Sequence, residues 1–218
     1  MMKHNIKNLI IDLGVVLLNL SPERCYQKFR EYGVTNIEQL AGTSYKSGLF
    51  YELEKGMISP EEFRNKLREL IGKDLTDEQI DAAWNSFLMD IPAYKLDLLL
   101  HLREKYMVYL LSNTNIIHWE WIKKHCFEYK GFSSEDFFEK IYLSFEMHQV
   151  KPDEGIFQSV LTNANLDPYE TFLIDDAKEN CLIAESFGIQ TYAPKAAEDW
   201  RHLFDKLEIE NGDYQRYR

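Results

Sequence analysis

Short apolar runs alternate with longer stretches of helical spacing along most of the chain. Residues 6–11 (Ile-Lys-Asn-Leu-Ile-Ile) read as a short buried strand that ends at Asp12. Residues 18–90 then carry helix punctuation and no convincing strand. Ser21-Pro22 opens one helix and Gly33 ends it. Ser59-Pro60-Glu61-Glu62 is a capping box with proline at the first helical position, and Gly72 closes that helix. Thr76-Asp77-Glu78-Gln79 is a second capping box, opening a helix with Ala82, Ala83, Phe87 and Leu88 on its apolar positions. After Pro92 the texture changes. An amphipathic helix at 93–104 leads to an apolar strand at 107–111 that stops at Ser112, then to a helix at 116–127 and a strand at 140–143. A helix at 154–164 and a turn capped by Asp167 precede a strand at 171–174, which ends at Asp175-Asp176. A helix at 180–187 stopped by Gly188, a strand at 189–192 and a helix at 197–207 follow, and the polar tail 208–218 reads as loose.

Strands alternating with helices predict an α/β, Rossmann-like fold: a parallel sheet with helices on both faces. The strands are short and apolar throughout, as strands buried on both sides are. The helical stretch interrupts this pattern after the first strand. The chain therefore divides into a catalytic core, 1–17 and 91–218, and an inserted small α-helical cap, 18–90. Ligands of such open sheets bind beyond the carboxyl ends of the strands, where the insert can sit as a lid.

At 218 residues the chain is long enough for one domain plus a small module. Lys and Arg number 25 against 36 Asp and Glu, a net charge of −11, which argues against grasping a nucleic-acid backbone. No apolar run approaches the ~20 residues of a membrane span. The apolar stretch at 9–11 is stopped by Asp12, so no signal peptide is expected. Cys25, Cys126 and Cys181 are odd in number and far apart, suiting a reducing cytoplasm rather than a disulfide framework. The six histidines are scattered, His118 and His125 included, and no zinc spacing emerges.

The polar residues that terminate the strands are Asp12, Ser112-Asn113 and Asp175-Asp176, with Lys151 a few residues past the strand at 140–143. Carboxylates gathered at one rim repel one another unless a cation or proton intervenes. Hard oxygen donors suit Mg²⁺, which shares its coordination with phosphate. A carboxylate, a cation site, a lysine and a hydroxyl are the parts of phosphoryl transfer. Taken singly, each has an ordinary reading: a strand-end Asp caps a turn, Lys-Pro is a solvated loop, and an Asp pair caps a helix. Their joint placement at successive strand ends is what carries specificity.

Over about residues 6 to 195 the sequence resembles the haloacid dehalogenase-like hydrolase superfamily. The resemblance rests on Asn8 to Leu17 around Asp12-Leu13-Gly14, on Leu110-Leu111-Ser112-Asn113-Thr114-Asn115, on Lys151-Pro152-Asp153 with Ile156-Phe157, and on Phe172-Leu173-Ile174-Asp175-Asp176 with Asn180 and Ala184. It is closest to small sugar-phosphate phosphatases of the α-D-glucose-1-phosphate phosphatase type, whose small cap Glu54 to Ser59 with Phe63 also resembles. The resemblance implies that Asp12 is a nucleophile forming an aspartyl-phosphate, that Ser112 and Asn113 bind the phosphate, and that Lys151 neutralises charge. It implies Mg²⁺ held by Asp12, the Gly14 carbonyl and Asp176, with Asp175 ligating through water or supporting the ligands.

One position departs from the pattern. Phosphatases of the superfamily carry a second aspartate two residues after the nucleophile as general acid and base. Here that residue is Gly14. The expected activity is a Mg²⁺-dependent phosphatase acting on a small phosphorylated metabolite, which tolerates the loss through a good anomeric leaving group or another acid. The alternatives are a degenerate binding or regulatory protein without turnover, and a metal-independent haloacid dehalogenase, in which Asp175-Asp176 would be unexplained. The expected setting is cytoplasmic, as a monomer or homodimer, with neither nucleic acid nor membrane as partner. The insert is rich in aromatics (Tyr26, Phe29, Tyr32, Tyr45, Phe50, Tyr51, Phe63, Trp84, Phe87), most of them expected in its core. Phe50, Tyr51 and Glu54 are its candidates for substrate contact. Trp119 and Trp121, with Ile117 and Ile122, are expected to pack on the sheet.

Overall fold

A computed structural model describes residues 5–38 and 47–204. Five strands form one parallel sheet: β1 (Asn8–Ile11), β2 (Met107–Ser112), β3 (Lys140–Leu143), β4 (Thr171–Ile174) and β5 (Gln190–Tyr192), in the order β3-β2-β1-β4-β5. The strand carrying Asp12 is central. Alternate residues bury on opposite faces, as the two-residue strand period requires. Leu9, Ile11, Val108, Leu110, Phe172 and Ile174 join one apolar cluster, whereas Ile10, Tyr109, Leu111, Tyr142 and Leu173 join another. Burying one such side chain stabilises the fold by roughly 1.5–3 kcal/mol, so both faces need a helical cover.

Helices α5 (Ala93–Arg103) and α6 (Ile116–Cys126) contribute to the first cluster; α9 (Glu154–Asn163) and α10 (Lys178–Ser186) contribute to the second. Trp119 and Ile122 pack with the sheet as expected, Trp121 packs partly buried against the same cluster, and Ile117 turns to the helical insert. The insert supplies α1 (Pro22–Glu31), α2 (Leu49–Glu54), α3 (Pro60–Ile71) and α4 (Asp77–Asn85). These gather their own core from Cys25, Phe29, Phe50, Phe63, Leu67 and Ile80. Both expected capping boxes form: Ser59 with Glu62, and Thr76 with Gln79. Gly72 closes α3 in the left-handed conformation with its N–H on the Arg68 carbonyl. Ser21 precedes α1 without a side-chain cap; Pro22, at the first helical position, sets that start.

Several expectations shift. α4 stops at Asn85, so Phe87 and Leu88 lie beyond it. Leu88 instead pairs with Leu20 across an antiparallel bridge, flanked by Ser21 N–H to Phe87 O and Asn19 N–H to Asp90 O. The two crossings into and out of the insert thus run side by side. α5 is buried along most of its circumference, Lys95 included, rather than amphipathic. The short helices α2, α7 (Ser134–Phe137) and α8 (Ser144–Met147) fall where no element was expected. Of the expected last helix, the described part is a 3₁₀ turn, Trp200–Phe204. Tyr45, residues 205–207 of the expected helix and the tail 208–218 lie outside the described residues. Among the described residues no helix is long and apolar enough to cross a membrane.

Candidate active site

Sheet register assembles the site. Ile11 pairs with Leu110 on one side and Ile174 on the other, so the next positions, Leu111, Asp12 and Asp175, lie abreast at the carboxyl edge. Lys151, between β3 and α9, reaches this edge from below. Its ammonium donates to Asp12 Oδ1 at 2.8 Å, Asp175 Oδ2 at 2.6 Å and the Leu111 carbonyl at 2.9 Å, which uses all three hydrogens. Asn113 fixes the lysine backbone reciprocally: its side-chain amide donates to the Lys151 carbonyl at 2.8 Å, and its Oδ1 accepts from the Lys151 N–H at 2.9 Å.

Asp175 is fully buried and has no free oxygen. Oδ1 accepts from the Ala177 N–H and the Asn180 amide; Oδ2 accepts from Lys151 and the same amide. Asp176 is only part-buried. Burial, then the neighbouring Asp175, raises its carboxyl above the ordinary range. Burial likewise pushes Asp12 up to about 7, against the pull of Lys151. Lys151 is held above its usual value: burial opposes this, but the Asp12 and Asp175 carboxylates outweigh it. Asp12, Asp175 and Asp176 each place an oxygen within 4.8 Å of the others. Three carboxylates facing one ammonium leave negative charge uncompensated, and the all-oxygen donor set fits a hard divalent cation such as Mg²⁺.

The loop after Asp12 is tightly folded. The Asp12 N–H donates to the Ile174 carbonyl, and the Leu17 and Leu18 N–H groups return to the Leu13 carbonyl. Val15 sits at φ 62°, a conformation that costs a β-branched residue about 1–3 kcal/mol. The surroundings hold it there: the Val16 carbonyl accepts from buried Lys95 at 2.6 Å and from the Trp200 indole at 3.1 Å. The Gly14 carbonyl accepts from the Val16 N–H, leaving one lone pair for another partner.

Above this floor lies a cavity of about 220 Å³. Gly14, Ser112 and Asn113 line it from the core; Tyr26, Phe50, Glu54 and Trp84 line it from the insert, with His118 between. Trp84 stacks on His118 at 4.7 Å and on Phe50 at 4.8 Å. Burial pushes His118 down to about 4, so it is neutral at pH 7. The Trp84 indole N–H has no partner among the described residues. The Glu54 carboxylate has none among the described residues, and burial pushes it up to about 7.

The expected site residues therefore converge: Asp12, Gly14, Ser112, Asn113, Lys151, Asp175 and Asp176 all meet at one edge. Of the three cap candidates, Phe50 and Glu54 face the cavity, while Tyr51 does not line it and its hydroxyl accepts from Lys55 at 3.2 Å. Sequence reasoning gave Trp84 to the cap core and His118 to the structural histidines. Both line the cavity wall, and a helix that follows the strand-end Ser112 was the hint available for His118.

Fold and site together define a Rossmann-like hydrolase with a carboxylate-rich centre. Residues 124–193 match the family described as haloacid dehalogenase-like hydrolase. Over 196 residues the chain is 35% identical to D-ribitol-5-phosphate phosphatase of Bacteroides thetaiotaomicron, covering 90% of this chain and 95% of that protein. It is 58% identical to a HAD family enzyme of Bacteroides thetaiotaomicron solved in complex with magnesium and inorganic phosphate, with a TM-score of 0.88 over 91% of this chain and 99% of that one. A HAD-like family hydrolase of Porphyromonas gingivalis is 38% identical, with a TM-score of 0.85 over 94% and 99% of the two chains. The chain belongs to the haloacid dehalogenase-like hydrolase family.

Proposed function

We propose that this protein is a Mg²⁺-dependent phosphatase that hydrolyses a small phosphorylated polyol or sugar through an aspartyl-phosphate on Asp12. The carrying observation is the bridge from Lys151 to Asp12 and Asp175 at the strand edge, with Asp176 beside it, next to a cavity that Gly14, Ser112 and Asn113 line. Asp12 attacks phosphorus with a carboxylate oxygen and is later released by water. Lys151 favours the ionised form of Asp12 against the opposing effect of burial and offsets charge on the phosphoryl oxygens. Ser112 offers its hydroxyl to the phosphate. Asn113 contributes mainly by holding Lys151, since its side-chain amide is engaged there, and its main chain is left to face the phosphate. Asp12, Asp176 and the Gly14 carbonyl would hold the metal, with Asp175 orienting Lys151 rather than ligating directly. Bound there, Mg²⁺ supplies positive charge that draws phosphate and anionic carboxylates together.

The relatives support this reading. One is named for D-ribitol 5-phosphate, and another was solved with magnesium and phosphate. A wall of Phe50, Trp84 and His118 rings with an unpaired indole N–H suits the C–H faces and hydroxyls of a polyol. Metal-free dehalogenation would leave Asp176 without a task. Residues 18–90 act in this reading as the cap over a core of 1–17 and 91–218, which excludes water and limits the substrate to a small metabolite. The net charge of −11 and three buried thiols favour a cytoplasmic enzyme, monomeric or homodimeric, without nucleic-acid or membrane partners.

The test is phosphate release from D-ribitol 5-phosphate, glucose 1-phosphate and p-nitrophenyl phosphate, with Mg²⁺ and with EDTA. Release that needs Mg²⁺ and falls by about 10⁴-fold or more in Asp12→Asn is the expected result. Activity surviving that substitution removes the nucleophile; no release from any ester returns the chain to a binding role.

A further inference from the structure

Building on the phosphatase reading, a proton must reach the leaving oxygen, and nothing at position 14 supplies it. A Cβ on Gly14 would lie 3.2 Å from Leu20 Cδ1, so a side chain there would press on Leu20. A good anomeric leaving group would lessen the need, but D-ribitol 5-phosphate, the substrate named for a relative, esterifies a primary alcohol, whose alkoxide is a poor leaving group.

We propose that Glu54, delivered from the insert into the cavity above Gly14, is the general acid and base of this phosphatase. Its placement is fixed by main-chain contacts to the core. The Ser144 hydroxyl lies 2.6 Å from the Glu54 carbonyl, at the end of β3. His148 Nδ1 lies 3.2 Å from the Lys55 carbonyl. Gly56, at φ +66°, comes so close to the Phe145 carbonyl that a Cβ would meet it at 2.1 Å. Glu54 thus lines, from an anchored corner, the same cavity that Gly14, Ser112 and Asn113 line.

Its surroundings favour a mobile proton. The other titratable groups in the wall are Cys25 and Tyr26 of α1 and neutral His118 of α6. Neighbouring charges are engaged elsewhere: Glu52 pairs with Lys66 of α3 at 2.8 Å, and Lys55 meets the Tyr51 hydroxyl. Glu146 of α8 is exposed. Among the described residues no side-chain cation pairs with Glu54, and burial pushes it up to about 7, where a donor works best at neutral pH.

The proton ledger closes. As Asp12 forms its bond to phosphorus, the bond from phosphorus to the substrate oxygen breaks, and that oxygen takes the proton of Glu54. The Glu54 carboxylate then takes a proton from water as the water oxygen attacks phosphorus. The bond to Asp12 breaks, phosphate leaves, and Glu54 is protonated again.

The test compares wild type and Glu54→Gln with Mg²⁺ on phenyl phosphate, p-nitrophenyl phosphate and D-ribitol 5-phosphate. Neither aryl ester carries a hydroxyl to be recognised, and they differ in leaving-group basicity. We expect kcat/KM to fall about 10²–10⁴-fold on phenyl phosphate and ribitol phosphate, and less than tenfold on p-nitrophenyl phosphate. We also expect a burst of p-nitrophenolate equal to the enzyme present, because the phosphorylated Asp12 loses its base. Equal losses on both aryl esters without a burst would assign Glu54 a structural role and overturn the proposal. Loss confined to ribitol phosphate would make it a hydroxyl-binding group, with the same consequence. Asp12→Asn separates the two readings, since its failure to abolish turnover would strike the phosphatase mechanism itself.

Discussion

The floor and the roof of the cavity are built on opposite principles. On the floor the groups that hold the site together are engaged: the three hydrogens of Lys151, both oxygens of Asp175 and the side-chain amide of Asn113. On the roof the Glu54 carboxylate and the Trp84 indole N–H are left open. A saturated floor is pre-organised, so it need not rearrange when charge develops on phosphorus. An unsaturated roof keeps its hydrogen-bonding capacity for a substrate, and it bears the desolvation cost until one arrives.

Breaking the floor has the largest effect. Lys151→Met removes the only ammonium among three carboxylates, and removing one member of a buried ion network costs about 3–5 kcal/mol. Denaturant titration should show that loss, and Mg²⁺ should recover more stability in the variant than it adds to wild type. An unchanged midpoint would mean the network is not what holds the strand ends together.

The aspartate pair sharpens the contrast within the floor itself. Asp175→Asn disturbs four hydrogen bonds and should cost roughly 1–3 kcal/mol of stability. Asp176→Asn should leave the melting temperature nearly unchanged while weakening Mg²⁺ binding in calorimetry. Reversal of that order would exchange the roles of the two residues.

The roof gives the smallest effect, and its sign is fixed. Glu54 is raised in the folded state from 4.5 to about 7. A carboxyl raised on folding contributes stability that is fully present below pH 4.5 and is lost as pH rises through about 7. Glu54→Gln should therefore gain on wild type between pH 5 and 8, by about 1–2 kcal/mol because the residue keeps some exposure. A gap that stays flat over that range would show that Glu54 is ionised throughout.

The floor was legible in the sequence because a strand end is a local event. Asp12, Ser112 and Asp175 each follow an apolar run, and parallel register does the rest. The roof was not, because it depends on how helices of the insert pack. Trp84 and His118 come from elements 34 residues apart that meet only in the folded chain. α2 is six residues long and starts at Gly48 with φ 94°, too short for periodicity to register. Lys95 reads as a solvated helical lysine; only tertiary structure explains its burial, through the Val16 and Leu17 carbonyls it serves.

The indole of Trp200 donating to the Val16 carbonyl has a consequence for biosynthesis. The segment bearing Asp12 is synthesised well before the group that clasps its strained turn, which is added 184 positions after Val16. A nascent chain can therefore pair β1 with β2 and still lack this clasp until residue 200 has been added.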